Sequence, residues 1–409
     1  MIRRDYSEIF EFAKNNSAFY SKKFNDIELD AVNSTDDIPI TYRDEIVDNE
    51  IEVIPIKYII NSSQYKIVSE RTSGSTGKFI EINWDYRDYL LSMSQLVYYR
   101  HKYYKIRPND KRCQFYTWID GVDGKEIVML SKNCMAFPKA YLSNDDLKTY
   151  FEQMQTFQPV WMILQPSIAY LLAKFVIDNR IKIPASIKYI ELTGEMYSKS
   201  TRLLVEEVFK CHVANQYGTY EFNSIAYECP FGNMHILDKN VIVEVVDDSE
   251  NNVADGNEGK IVVTTKINKV MPFVRYCVGD SGKIEKNKGC KCGNCSEILK
   301  VTIGRSDDKV HLSSEDNVSF YDFISSMQRT DSMDAISVLQ FRISQIAIDE
   351  FEVDAVIKGN KTNFETIFIN NITNPELKKA KYRFRYYDSL LPDEAGKIKI
   401  FKSLVEVRK

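Results

Sequence analysis

No stretch of the 409-residue chain stays apolar long enough to cross a bilayer. The strongest candidate, Trp161 to Ile177, is interrupted by Gln165, Pro166, Ser167 and Lys174. The opening residues, MIRRDYSEIFEF, hold no apolar core of a secretory signal. A cytoplasmic protein without a membrane span is therefore expected. Charge of one sign is also missing. The 54 Lys and Arg nearly balance 58 Asp and Glu, for a net charge of −4, which gives no reason to expect a nucleic-acid partner. Histidine is scarce: of the four, His101 and His311 stand isolated and His212 opens a strand. No His-based triad and no Gly-x-Ser-x-Gly elbow can be assembled, which removes the common nucleophilic hydrolases. Internal repeats and low-complexity segments are absent.

What is present is an ordinary globular composition, 44% hydrophobic and 27% charged. The length exceeds one ordinary core, so two or three domains are expected. Tyr6, Ile9, Phe10 and Ala13 recur at helical spacing, and Asp36-Asp37-Ile38-Pro39 ends that first region. Tyr65–Ser69 and Phe79–Asn83 read as a strand pair, and Tyr86–Tyr104 as a helix with an aromatic face. From Arg112 to Gln216 strands and helices alternate, which implies a parallel sheet with crossover helices. From Asn223 short strands joined by polar turns read as a β-rich subdomain, with strands at Val241–Val246, Gly259–Thr265 and Phe273–Val278. Gly304–Asp308 reads as a joint, and 309–409 as a small α+β domain.

Between the first two strands lies RTSGSTGK, Arg71 to Lys78. Gly74 and Gly77 permit close backbone approach, and successive N–H groups in such a loop form a concave nest for an anion. Thr72, Ser73, Ser75 and Thr76 add hydroxyl donors, and Lys78 adds charge. It is not the P-loop of kinases and ATPases: Thr72 stands where that motif needs its first Gly, and Phe79 follows the Lys.

Four later motifs give this loop its meaning, in order: Leu192-Thr193-Gly194-Glu195, Gln216-Tyr217-Gly218-Thr219-Tyr220-Glu221, Arg275-Tyr276-Cys277-Val278-Gly279-Asp280, and Gly304-Arg305-Ser306-Asp307-Asp308. A fifth, Leu391-Pro392-Asp393-Glu394-Ala395-Gly396-Lys397, lies near the end. Singly each is a common turn; together, in this order, they are hard to obtain by chance. The chain resembles the adenylate-forming superfamily of acyl- and aryl-CoA synthetases. Within it the closest likeness is to the phenylacetate–CoA ligase-like branch with its capsular polysaccharide biosynthesis CapK-type proteins.

The resemblance implies an α/β fold with a large N-terminal adenylation domain, residues 1–304, of mixed sheets and helices. A β-rich subdomain covers about 223–303, and a small mobile α+β domain covers 305–409. It also implies site roles. Thr72, Ser73, Gly74, Ser75, Thr76, Gly77 and Lys78 would handle the ATP phosphates. Gly194 and Glu195 would line the adenine side, Tyr217 would stack on adenine, and Gly218 and Thr219 would complete that turn. Glu221 would hold Mg²⁺, a hard cation suited to carboxylate and phosphate oxygens. Asp280 would accept the ribose hydroxyls. Arg305 would lie by the nucleotide, Asp307 would be the hinge, and Lys397 would be the catalytic cation. Two departures stand out. Tyr220 occupies the place of a phosphate-contacting Thr, for which neighbouring Thr219 offers a substitute, and Val278 replaces the Thr before Gly279-Asp280.

The implied activity is ATP-dependent adenylation of a small carboxylic acid, aromatic or apolar, followed by transfer to CoA or to the phosphopantetheine arm of an acyl carrier protein. Transfer to an amine, a hydroxyl or a protein cysteine is the alternative, since HLSSEDN after Asp308 lacks a Gly found in many CoA users. A nucleotide-binding protein without turnover stands lower. An acyl pocket is expected near the helix Tyr86–Tyr104, with Tyr116, Trp118, Trp161 and Tyr189 as lining candidates.

Eight cysteines without an export signal suggest reduced thiols available to metal. Some relatives in this branch carry a Cys…His…Cys-x-Cys set. The resemblance maps it onto Cys229, His235, Cys290 and Cys292 as a structural Zn²⁺ site, with Cys295 as surplus or as a replacement ligand. Cys113, Cys134, Cys211 and Cys277 fall in apolar segments and are expected in the core.

Overall fold

The computed structural model describes residues 4–28, 32, 34–71, 80–116, 126–303, 309–312, 317–331, 333, 335–391 and 400–405. Chain contacts divide it into two compact units, Met1–Lys105 with Asn215–Arg305, and Ile106–Ala214 with Ser306–Lys409.

The first unit begins with the helices Arg4–Asn16 and Ala18–Lys23. Ser17 caps the second by accepting from the Tyr20 N–H, so the chain turns without losing a backbone donor. Their apolar faces place Tyr6, Phe10, Ala13, Tyr20 and Phe24 in one core with Trp84, Phe222, Phe273 and Tyr276. The strands Ile67–Arg71 and Glu81–Asp85 pair antiparallel, with Val68 opposite Trp84. Asp85 then caps the helix Tyr86–Tyr104. A sheet follows in the order Val241–Val246, Gly259–Thr265, Tyr276–Glu285, Ile298–Ile303, Met234–Ile236 and Ala226–Glu228, ending on the Asn215–Tyr217 half of the strand His212–Tyr217. Neighbours in it run antiparallel.

One expected strand is displaced. Phe273–Val278 is apolar throughout, yet the strand starts at Tyr276, because Arg275 sits in the left-handed region at φ 43°. The N-terminal segment uses that break. The Thr41 N–H donates to Arg275 O at 2.8 Å, and the Cys277 N–H donates to Thr41 O at 2.9 Å.

The second unit carries a sheet in the order Tyr189–Thr193, Trp161–Leu164, Arg112–Tyr116, Cys134–Pro138, Val128–Ser131. Its first four strands are parallel and the last pairs antiparallel. The helices Asn144–Phe157, Pro166–Asn179 and Lys199–Phe209 bury Phe151, Leu172, Phe175 and Val205 on it. The expected parallel arrangement is therefore found, with Cys134–Pro138 as an added strand. That strand is buried at every position, so no alternation betrays it. In the same unit a four-stranded sheet, in the order Lys381–Tyr386, Glu350–Lys358, Ser337–Ala347, Phe401–Ser403, is backed by the helices Tyr321–Thr330 and Lys361–Asn371. Asp331 joins the two parts, accepting from the Ser200 N–H at 3.1 Å and the Ser200 hydroxyl at 2.6 Å. No helix among the described residues is long and apolar enough to cross a membrane.

Candidate nucleotide site and candidate metal centre

The strand His212–Tyr217 ends in the turn Gly218–Glu221. Gly218 is required there: a Cβ would lie 1.8 Å from Asn223 O, a backbone atom that cannot yield cheaply. Asn223, at φ 57°, turns the chain back so that the Ile225 N–H reaches Tyr217 O at 2.9 Å. This fixes the Tyr217 side chain. Its hydroxyl donates to Asp280 Oδ2 at 2.6 Å. Burial, then Asp280 and Glu221, push the Tyr217 hydroxyl well above its ordinary pKa, so it stays a donor to the Asp280 carboxylate.

Glu221 is buried. The Tyr276 hydroxyl donates to its Oε1 at 3.1 Å, and Arg43 Nη1 lies 3.8 Å from the same oxygen. Burial and then Glu221 likewise raise the Tyr276 hydroxyl well above the usual range. The Thr219 Oγ1 is buried with no hydrogen-bond partner among the described residues. Tyr220 is exposed, while its carbonyl accepts from Trp84 Nε1 at 3.3 Å, which ties the turn to the first strand pair. Tyr217, Gly218, Thr219, Glu221 and Asp280 thus meet within the first unit.

Gly194 and Glu195 lie in the second unit. Gly194 takes φ +81°, open to glycine. The Glu195 carboxylate accepts from the Ser167 N–H and hydroxyl, both at 2.9 Å, at the start of the helix Pro166–Asn179, where the helix dipole favours negative charge. Thr72 to Lys78, Trp118, Arg305, Asp307 and Lys397 lie outside the described residues. Among the expected pocket residues, Tyr116, Trp161 and Tyr189 are buried in the second unit with their polar tips engaged. The Tyr116 hydroxyl donates to Glu126 O, Trp161 Nε1 to Asp110 O and the Tyr189 hydroxyl to Glu191. They pack the interior.

The thiols separate cleanly. Ligand atoms of Cys229, His235, Cys290 and Cys292 all lie within 4.8 Å of one another. Cys229 Sγ and Cys290 Sγ are 3.7 Å apart, and Cys292 Sγ and His235 Nε2 are 3.3 Å apart. With metal–sulfur bonds of about 2.3 Å and metal–nitrogen bonds of about 2.0 Å, a tetrahedron has S···S edges of about 3.8 Å and S···N edges of about 3.5 Å. The observed edges match within a few tenths. His235 Nδ1 lies 3.1 Å from Ser296 O, so Nδ1 carries the proton and Nε2 is left to face the thiols. Asn233 Nδ2 donates to Cys290 Sγ at 3.3 Å and the Asn294 N–H to Cys292 Sγ at 3.3 Å. Burial opposes the Cys290 thiolate, but hydrogen bonds from Cys292, Asn233 and His235 outweigh it and bring the thiol down to about 6. Burial pushes Cys229 up to about 12. Cys295 is exposed and stands outside this group. Cys113 and Cys134 are buried, whereas Cys211 and Cys277 are only partly so.

Sequence reasoning missed Arg43, Asn233 and Tyr103, whose hydroxyl lies 3.5 Å from Cys292 Sγ. Nothing local marks them; each reaches its partner from a distant segment. Tyr276 was legible, since it sits inside the Arg275–Asp280 motif.

No family model matches the chain. Its fold is that of the adenylate-forming acyl-CoA ligases. It superimposes on the crystal structure of 2-hydroxyisobutyryl-CoA ligase, solved in the postadenylation state in complex with R3-HIB-AMP. The TM-score is 0.73 at 14% identity, over 97% of this chain and 87% of that one. In sequence the chain is similar to Protein CapK of Staphylococcus aureus, 23% identical over 397 residues, which is 93% of this chain and 81% of that protein. It is also similar to phenylacetate-coenzyme A ligase of Thermus thermophilus, 29% identical over 161 residues, 38% of this chain and 36% of that enzyme. The resemblance read from the motifs is borne out by these relatives.

Proposed function

We propose that this chain is an ATP- and Mg²⁺-dependent ligase. It adenylates a small aromatic or apolar carboxylic acid to acyl-AMP and pyrophosphate, then passes the acyl group to the thiol of CoA or of a carrier-protein phosphopantetheine arm. The supporting observation is the Tyr217–Asp280 pair, 2.6 Å apart beside buried Glu221, in a chain with the fold of acyl-CoA ligases. A carboxylate oxygen attacks the α-phosphorus, the α–β anhydride bond breaks, and pyrophosphate leaves with the bonding pair. No protein nucleophile is needed, so catalysis is positioning plus charge stabilisation. Asp280 holds the ribose hydroxyls and Tyr217 lies against the adenine. The segment Thr72–Lys78 holds the phosphates, and Lys397 supplies a cation from the 305–409 domain as it turns about Asp307. Glu221 is a buried carboxylate, a donor that fits a hard divalent cation, and Mg²⁺ held there offsets phosphate charge. Cys229, His235, Cys290 and Cys292 fit a structural Zn²⁺.

A panel of acids with ATP, Mg²⁺ and hydroxylamine tests the reading. Acid-dependent pyrophosphate and hydroxamate are expected, with loss in Asp280→Ala and the most severe loss in Lys397→Ala. No acid-dependent release, or full activity in Asp280→Ala, would reject it. Product mass spectrometry with CoA, holo-carrier protein or an amine identifies the acceptor.

A further inference from the structure

We propose that Arg43, delivered by the N-terminal segment, is a contact residue for the polyphosphate of the bound nucleotide beside Glu221. The inference rests on the nucleotide reading of Tyr217, Asp280 and Glu221.

The segment is held at three points. Two backbone hydrogen bonds join Thr41 to Arg275 and Cys277, and the Thr41 hydroxyl donates to Val274 O at 2.9 Å. These bonds fix Thr41 against the same strand that carries Asp280. Two residues later the helix Arg43–Asp48 begins, with the Tyr42 N–H donating to Glu45 Oε2 at 2.8 Å. The Arg43 guanidinium is thereby set at the edge of the site, its side chain 29% exposed, against 8% for Glu221.

Arg43 does not hydrogen-bond Glu221 itself. At 3.8 Å it is beyond hydrogen-bond distance of Oε1, which the Tyr276 hydroxyl bonds, and the guanidinium donates to that hydroxyl instead, so it is held in place beside the carboxylate. A partly exposed pair at that separation adds little stability. Its electrostatic effect on a ligand is larger. An incoming triphosphate must approach a buried carboxylate of the same sign, and a fixed guanidinium next to that carboxylate offsets the repulsion. The planar fork of Arg also matches phosphate oxygens in a way a Lys does not.

The contact is specific to the polyphosphate, so it predicts a difference between nucleotides. Calorimetry on the full chain at fixed Mg²⁺ compares ATP with AMP. In Arg43→Gln the ATP Kd should rise about tenfold, while the AMP Kd stays within about twofold and the thermal midpoint falls by no more than about 5 °C, the loss of one hydrogen bond to the Tyr276 hydroxyl. Arg43→Lys, which keeps the charge without the fork, should fall between wild type and Arg43→Gln for ATP and match wild type for AMP. This second variant carries the test if the first does not fold. Unchanged ATP binding in both variants, or equal losses for ATP and AMP, would overturn the assignment. Wild-type protein that binds neither nucleotide would overturn the nucleotide reading itself, a result separate from any comparison of variants.

Discussion

Replacing Asp280 with alanine removes the acceptor 2.6 Å from the Tyr217 hydroxyl and leaves that hydroxyl without its carboxylate partner. A hydrogen bond to a charged group is worth about 1.5–3 kcal/mol net. For a folded unit of roughly 200 residues, each kcal/mol moves the thermal midpoint by about 2–4 °C. Asp280→Ala should therefore lower the midpoint of the first unit by roughly 3–12 °C. Tyr217→Phe, which deletes only the donor, should cost a similar amount, and the double variant little more than either single one. The coupling should stay flat from pH 6 to 9, because burial, Asp280 and Glu221 hold the Tyr217 hydroxyl well above its ordinary pKa. Asp280→Asn keeps an oxygen of similar reach, so it should melt closer to wild type yet adenylate poorly, having lost the charge that would hold the ribose. Calorimetric melts of the four proteins of the cycle, with pyrophosphate release in parallel, provide the measurement. Additive losses in the double variant would show that the two groups do not work as a pair.

Metal analysis should return about one zinc per chain for wild type and Cys295→Ser and little for Cys290→Ser, with the chelated protein melting earlier; a full complement in Cys290→Ser would remove that thiol from the set. Asp354 makes an acid-stability prediction. Burial works against its carboxylate, but Arg385 and Arg342, at 2.6 and 2.8 Å, outweigh it and hold the pKa below the usual value. A depressed folded pKa means stability that is complete above about pH 4 and lost as pH falls through the folded value. Asp354→Asn should cost about 2 kcal/mol near neutrality, the worth of hydrogen bonds to charged but half-exposed partners, and flatten the acid limb of urea-melt stability between pH 5 and 2; an unchanged acid limb would count against it.

Local patterns carried much of the fold. The helix Tyr86–Tyr104 and the strand Tyr189–Thr193 were legible residue for residue, because their punctuation is local: Asp85 caps one, and the Gly194 turn ends the other. The strand Lys381–Tyr386 was missed, although its cations alternate with aromatic residues at period two. There the signal was present and unread. The start at Tyr276 was not legible at all, since the left-handed Arg275 that displaces it is held by Asp36 and Glu244, far away in sequence.

The sequence by itself determined the residue types and their order: a Gly- and hydroxyl-rich loop, then Tyr217 to Glu221, then Asp280, with a cysteine cluster between them and the end. That order needs no coordinates, because each motif is a contiguous run whose chemistry is carried by its own side chains. The tertiary structure decided how these groups meet. It brought together the four metal candidates that the resemblance had implied, Cys229 with Cys290 across 61 residues and His235 with Cys292 across 57, and resolved the open place of Cys295 by leaving it at the surface. It set Tyr217 on Asp280 across 63 residues and brought Arg43 to Glu221. Convergence of that kind is fixed by strand pairing and turn geometry over long separations, and no window of sequence contains it.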